Sequence, residues 1–253
     1  MSESLSLSAQ GWRMPAEWEP HEATWLSWPH NPKTWPGRDF TVIEDIWAQM
    51  AAALAPGEIV NILASERLHE RVHKALSRRS VPEDRIRLHD VPTNDVWARD
   101  HGPIFLVRDE NGTRERLILN WDYNAWGGKF PPWDDDNRVP ARVSEITGIA
   151  HVTPGMILEG GSIDVNGRGC LLTTEQCLLN KNRNPSLTRE QIEQRLRDHL
   201  GATNILWLHD GLEGDDTDGH VDDITRFVSE RVIVTTMCED TNDANHVVLL
   251  ENR

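Results

Sequence analysis

The sequence predicts a mixed α/β domain of irregular topology, on three observations. Short apolar runs bounded by Gly, Pro, Asn and Asp alternate with stretches whose apolar residues recur at helical spacing. Two Asn-Gly pairs, Asn111-Gly112 and Asn166-Gly167, separate such runs, and Asn-Gly favours the positive backbone angles of tight hairpin turns. No linker or low-complexity tract divides the 253 residues, so residues 1–253 read as a single domain.

Taken in order, Val42 to Leu54 reads as a helix, with Ile43, Ile46, Trp47, Met50 and Leu54 on one face. Pro56-Gly57 stops it, and Ile59 to Leu63 reads as a buried strand. Ser65 is placed to cap a second helix through about Arg79, and Ile86 to Val91 follows as a strand. Ile104 to Val107 and Leu117 to Trp121 form a hairpin through Asn111-Gly112. Ile163 to Val165 and Cys170 to Thr174 form a second, stronger one through Asn166-Gly167. Thr188 with Gln191 makes a capping box for a helix through Leu200, whose inner face is Ile192, Leu196 and Leu200. Ile205 to Leu208, Ile224 to Val228 and Val232 to Thr236 supply further strands.

The chain is strongly acidic, with 41 Asp and Glu against 26 Lys and Arg and a formal net charge of −15. That balance argues against nucleic acid, whose phosphates need clustered Lys and Arg. It is compatible with steering a small cation and equally with plain solubility. Eleven tryptophans stand against one tyrosine and four phenylalanines, and filling of core and inter-repeat space is their ordinary use. Cys170, Cys177 and Cys238 make an odd count without metal-type spacing, which points to a reducing compartment and no disulfide framework. Met1 to Gln10 has no basic segment followed by an apolar run, and no apolar stretch reaches membrane-spanning length. A cytoplasmic protein with no membrane partner is expected.

Three segments carry the candidate chemistry: Trp97-Ala98-Arg99-Asp100, Leu158-Glu159-Gly160-Gly161 and Asp218-Gly219-His220-Val221-Asp222. Asp100 lies on a loop mouth, where a carboxylate can pair in parallel with a guanidinium, cap the turn, or pair with Arg99. Glu159 ends an apolar run before two glycines, whose missing side chains let backbone approach a ligand; an edge-strand glutamate facing water is the alternative. His220 and Asp222, two apart at the start of a strand, project to the same side and set an acid–base group beside an anion. Trp97 could stack on a cation or fill the core. The acidic loop Asp210 to Gly219 fails the alternate-position test for a calcium loop. A generic His/Asp metal site stays open at this stage.

In the order, spacing and glycine context of these segments the chain resembles the guanidine-modifying enzymes of the pentein fold. The closest likeness is to the agmatine deiminases of the bacterial peptidylarginine deiminase family. The likeness runs from Met14-Pro15-Ala16-Glu17-Trp18-Glu19-Pro20-His21 to the stretch around Cys238. It implies a single catalytic domain built as an α/β propeller of pseudo-symmetric ββαβ units. This chain would supply roughly three to four of the five units and be truncated at its C-terminus. It also implies hydrolysis of a small guanidine, agmatine, to N-carbamoylputrescine and ammonia, without metal or cofactor.

By the resemblance, Asp100 and Asp222 hold the guanidinium nitrogens, and His220 moves protons. Glu159 orients His220 or touches the substrate. Trp97, Trp126 and Asp216 are weaker candidates for the alkyl chain and distal amine. The family's cysteine nucleophile lies beyond Arg253, and Cys170, Cys177 and Cys238 read as buried structural thiols. The chain alone is therefore expected to be inactive. A homo-oligomer is left open. The competing readings are a peptidylarginine deiminase, a non-catalytic guanidine-binding remnant, and a metal-dependent hydrolase using His220.

Overall fold

Residues 5–253 are described by the computed structural model; residues 1–4, part of the amino-terminal stretch read above for a leader, lie outside it. Four small sheets organise the described residues. The first holds β1 (Ala23–Ser27), β2 (Ile59–Ala64) and β3 (Ile86–Asp90), all parallel, with β2 in the middle. Helices α1 (Phe40–Leu54) and α2 (His69–Arg78) make the crossovers, as parallel neighbours require. β2 is buried along almost its whole length, which is why its sequence is a continuous run rather than an alternating one.

The face α1 buries differs from the expected one. Ile43, Ala48 and Ala51 point inward, while Ile46 is 44% exposed. Small alanines let the helix approach the sheet closely, and Glu44 is drawn in with them. Its Oε1 accepts the Trp28 indole N–H at 3.2 Å and pairs with Arg71 at 3.0 Å. Ser65 does not cap a helix through its side chain. Glu66–Leu68 form a 3-10 turn ahead of α2, and Asp90 at the end of β3 accepts the Glu66 amide at 2.8 Å. The cap comes from a distant strand, which local spacing does not reveal.

The next two sheets repeat one plan. β4 (Ile104–Glu110) and β5 (Thr113–Leu119) form a hairpin, and β6 (His151–Val152) returns parallel to β5 after α3 (Val139–Thr147). β7 (Asp164–Val165) and β8 (Cys170–Thr174) form another, and β9 (Asn204–Leu208) returns parallel to β8 after α4 (Arg189–Leu200). Both are ββαβ units. β10 (Thr225–Ser229), β11 (Val232–Thr235) and α5 (His246–Glu251) repeat the hairpin and the helix. The first sheet departs from the plan in being wholly parallel.

Relative strength of the two hairpins is the reverse of the expectation. Asn111 and Gly112 take φ of 51° and 78°, and seven residue pairs follow in register. Asn166 instead uses its side chain: Oδ1 accepts the amides of Arg168 and Cys170, and only two residue pairs form. α4 has the capping box of Thr188 with Gln191 and buries Ile192, Leu196 and Leu200. Those three join Leu106, Leu119, Leu158, Ile163, Leu171 and Leu178 in one core that locks the two ββαβ units together.

Immediately before the first strand of each hairpin the chain makes one helical turn: Ala98–His101 before β4, Gly160–Ser162 before β7, and Val221–Asp223 before β10. The three candidate segments are these three turns.

Candidate active site

The turns pack against one another, and their polar side chains meet. Asp100 is buried within its turn, rather than open at a loop mouth. Its Oδ1 accepts the Gly161 amide at 3.1 Å, and Oδ2 accepts the Trp126 indole N–H at 3.2 Å. His220 immediately precedes the third turn, without capping it through its side chain, and is not on a strand, yet the turn still brings it near Asp222. Its Nδ1 lies 3.5 Å from Asp100 Oδ1 and 3.9 Å from Asp222 Oδ1. Glu159 is fully buried; its Oε1 accepts from Arg183 Nε at 2.6 Å, while its Oε2 has no partner. The four residues therefore converge despite their separation in sequence.

The glycine pair has a steric reason. A Cβ on Gly161 would lie against His220 Nδ1, Asp100 Oδ1 and Asp222 Oδ1, and one on Gly160 would strike the Arg99 carbonyl. Backbone thus forms the floor between the three polar groups. The acidic loop serves backbone as well. Asp215 Oδ2 accepts the amides of Gly219 and His220, and Thr217 Oγ1 also takes the His220 amide. That clamp presents the imidazole.

Burial decides the protonation of the cluster. It pushes the Asp100 carboxyl up to about 8, helped by the negative charges of Glu159 and Asp222. It raises Glu159 against the opposing pull of Arg183, and raises Asp222 against Arg99. It drives His220 down to about 3, with Arg183 adding to the effect. Near neutral pH the site therefore holds a neutral imidazole beside a protonated Asp100. Such a cluster of desolvated acids gains most from an incoming cation.

Several participants escaped the sequence reading. Arg99 does not pair with Asp100; its Nε donates to Asp222 Oδ2 at 3.1 Å, and its other end is held by Glu17. Arg226 grips the same Glu17 at 2.6 Å. Arg183, fully buried, also donates to Asp218 Oδ2 at 2.8 Å. Asp218 further accepts from Lys129 and Asn182. Asp216 is exposed, and its carbonyl, not its carboxylate, receives Lys129 Nζ. The polar run Asn180 to Asn184 directly after Leu178-Leu179 was the available signal for Arg183, although nothing in it foretells burial.

An aromatic wall borders the cluster. Trp97 is 40% exposed and meets Trp126 edge-on at 6.1 Å and Trp35 at 6.4 Å. Trp126 is buried, and Phe130 packs on it at 5.7 Å with 48% of its own surface exposed. Trp126 holds a left-handed φ of 56°, kept there while Asn124 Oδ1 accepts the Gly127 amide at 2.8 Å.

Of the three cysteines only Cys177 is buried; Cys170 and Cys238 are partly open. The expectation of three buried thiols fails for those two, which lie at the start of the central strand β8 and in the irregular stretch after β11. Cys177 sits on the one-turn helix Glu175–Leu178, and burial pushes its thiol well up. Among the described residues it forms, with Glu159 and His220, the one group of side chains arranged to hold a metal ion.

A family model described as Porphyromonas-type peptidyl-arginine deiminase matches residues 13–253. The chain is 40% identical over 243 residues to the agmatine deiminase of Ectopseudomonas mendocina, covering 94% of this chain and 64% of that protein. It is 42% identical over 242 residues to that of Stutzerimonas stutzeri, covering 93% and 63%. The chain thus spans slightly under two thirds of the length of these relatives. Among solved structures, agmatine deiminase of Enterococcus faecalis superposes with a TM-score of 0.89 at 34% identity, over 98% of this chain and 67% of that one. A cysteine-to-serine variant of C. jejuni agmatine deiminase with substrate bound does so with a TM-score of 0.80 at 31% identity, over 95% and 69%. The chain belongs to the Porphyromonas-type peptidyl-arginine deiminase family.

Proposed function

We propose that residues 1–253 carry the guanidine-binding and proton-transfer part of an agmatine deiminase. The reaction converts agmatine to N-carbamoylputrescine and ammonia, in the cytoplasm and toward putrescine. The observation that carries this reading is the convergence of Asp100, Glu159, Asp222 and His220 at three equivalent turns. Asp100, once ionised, and Asp222 pair with the guanidinium nitrogens and fix the central carbon. His220, neutral in the empty site, takes the proton of the attacking group, gives one to departing ammonia, and later deprotonates water. Glu159 holds the far side of the cation against Arg183. Trp97 and Trp126 flank the alkyl chain.

Attack on the guanidinium carbon needs a nucleophile. Cys177 is the thiol beside His220, but its burial favours the uncharged form, the opposite of what an attacking thiolate needs. Cys170 and Cys238 belong to neither the turns nor the cluster. We infer that the sulfur nucleophile comes from a segment outside residues 1–253. The exposed Val232, Ile233 and Val234 of the two-stranded last sheet support a continuation of that kind. Purified residues 1–253 should bind agmatine and form no ureido product. Product formed by this chain and lost in Cys177→Ser would move the nucleophile to Cys177 and overturn this part of the reading. A preference for peptide arginine over agmatine would overturn the substrate.

A further inference from the structure

Glu159, Cys177 and His220 have donor atoms that all lie within 4.8 Å of one another. All three side chains are almost wholly shut off from solvent, at 0%, 0% and 2% exposure. Glu159 Oε1 accepts from Arg183, and His220 Nδ1 faces the carboxyls of Asp100 and Asp222 at 3.5 and 3.9 Å. The other atom of each, Glu159 Oε2 and His220 Nε2, is buried and has no partner. Orphaned buried atoms of this kind are costly, so two residues of one donor group that each carry one mark a place that a ligand would relieve.

Thiolate, imidazole and carboxylate together make a donor set suited to a soft divalent cation. A further carboxylate oxygen, Asp222 Oδ1, stands 3.9 Å from the imidazole. The opposing cation, Arg183, is already matched by Glu159 and Asp218.

We propose that Glu159, Cys177 and His220 bind one zinc-type divalent cation, which blocks the site rather than serving as a resident cofactor. Binding forms metal–oxygen, metal–sulfur and metal–nitrogen bonds. The S–H bond of Cys177 breaks, sulfur keeps the electron pair, and its proton passes to solvent with no redox change. A metal here takes the imidazole nitrogen and the carboxylate oxygen that a guanidine would meet. The site itself stands on its donors; only its competition with guanidine rests on the deiminase reading.

Cadmium alone is the probe, because its bond to thiolate gives a charge-transfer absorption in the ultraviolet. The metal-free chain should bind one cadmium saturably and release one proton. The absorption should vanish in Cys177→Ser and persist in the Cys170→Ser/Cys238→Ser double variant. His220→Gln and Glu159→Gln keep the thiol and should weaken cadmium binding by more than about tenfold. Absorption that survives Cys177→Ser, or that is lost in the double variant, overturns the site. So does undiminished affinity in both thiol-bearing variants, which keeps the test valid if Cys177→Ser fails to fold. Agmatine that raises the apparent cadmium dissociation constant supports the blocking role, and agmatine bound together with cadmium overturns it. Agmatine that does not bind at all counts against the deiminase reading alone, since cadmium reports the metal site without it.

Discussion

The first sheet and the three-turn cluster are built from opposite solutions to burial. Around Trp28 the indole N–H donates to Glu44, Arg71 pairs with Glu44, and the packing about them is apolar, with Val60, Ile62, Leu68, Val72 and several alanines among it. In the cluster Glu159 Oε2 and His220 Nε2 are buried without partners, and Asp100 is pushed to about 8. One region meets its polar groups from within the fold. The other carries buried polar atoms without partners, and departures of that kind from the rules that stabilise a fold are expected at functional sites.

Substitutions that separate stability from binding test that contrast. The largest effect belongs to the satisfied region. Ile62→Ala, at a fully buried position of β2, should lower unfolding free energy by about 2–5 kcal/mol in a denaturant titration. Agmatine affinity of the folded fraction should stay unchanged. A matching loss of affinity would mean that the two regions are one.

Asp100→Asn should act in the reverse sense. Loss of a charge-assisted pair should weaken agmatine binding by about 1.5–3 kcal/mol. The empty protein should gain stability at alkaline pH. The sign follows from the raised carboxyl: the folded state holds a proton that the unfolded chain releases near the ordinary aspartate value of 3.8. Stability therefore falls as pH rises from about 4 to about 8. Asparagine removes the share of that fall that belongs to Asp100 and leaves the shares of the other raised carboxyls, among them Asp136 and Asp223, so a variant whose drop equals that of the parent chain would refute the assignment to Asp100.

Two smaller effects probe the caps. Thr188→Ala breaks the capping box of α4 and should cost about 0.5–2 kcal/mol in thermal or chemical unfolding. Ser65→Ala should change stability by less than about 0.5 kcal/mol, since Ser65 makes no capping bond and Asp90 does that work. A large Ser65 effect would restore the local cap that the structure replaces.

Legibility followed the range of the interaction. α4 was readable to the residue because Thr188, Gln191 and the Ile192–Leu196–Leu200 stripe are all local signals. The hairpin at Asn111-Gly112 was readable for the same reason. Ser65 misled because its substitute, Asp90, is supplied by tertiary contact. The buried face of α1 was misplaced because alanines against a sheet carry little pattern. At the site, glycine-flanked carboxylates pointed to Asp100, Glu159 and Asp222, but not to what surrounds them. Arg183, Arg99 with Glu17, and the thiol of Cys177 enter from elsewhere in the chain, and only the fold brings them in.

The central claim is that the three turns form a cation site held partly protonated while empty. Calorimetry of agmatine binding to residues 1–253, in buffers of differing ionisation enthalpy near pH 7, tests it directly. Asp100, protonated up to about pH 8 in the empty site, must ionise to pair with the guanidinium. His220, held near 3, does not retain the proton. Binding should therefore release close to one proton, and affinity should rise with pH until it levels off above about 8. Binding without proton release, or binding by Asp100→Asn as tight as by the parent chain, would contradict the account.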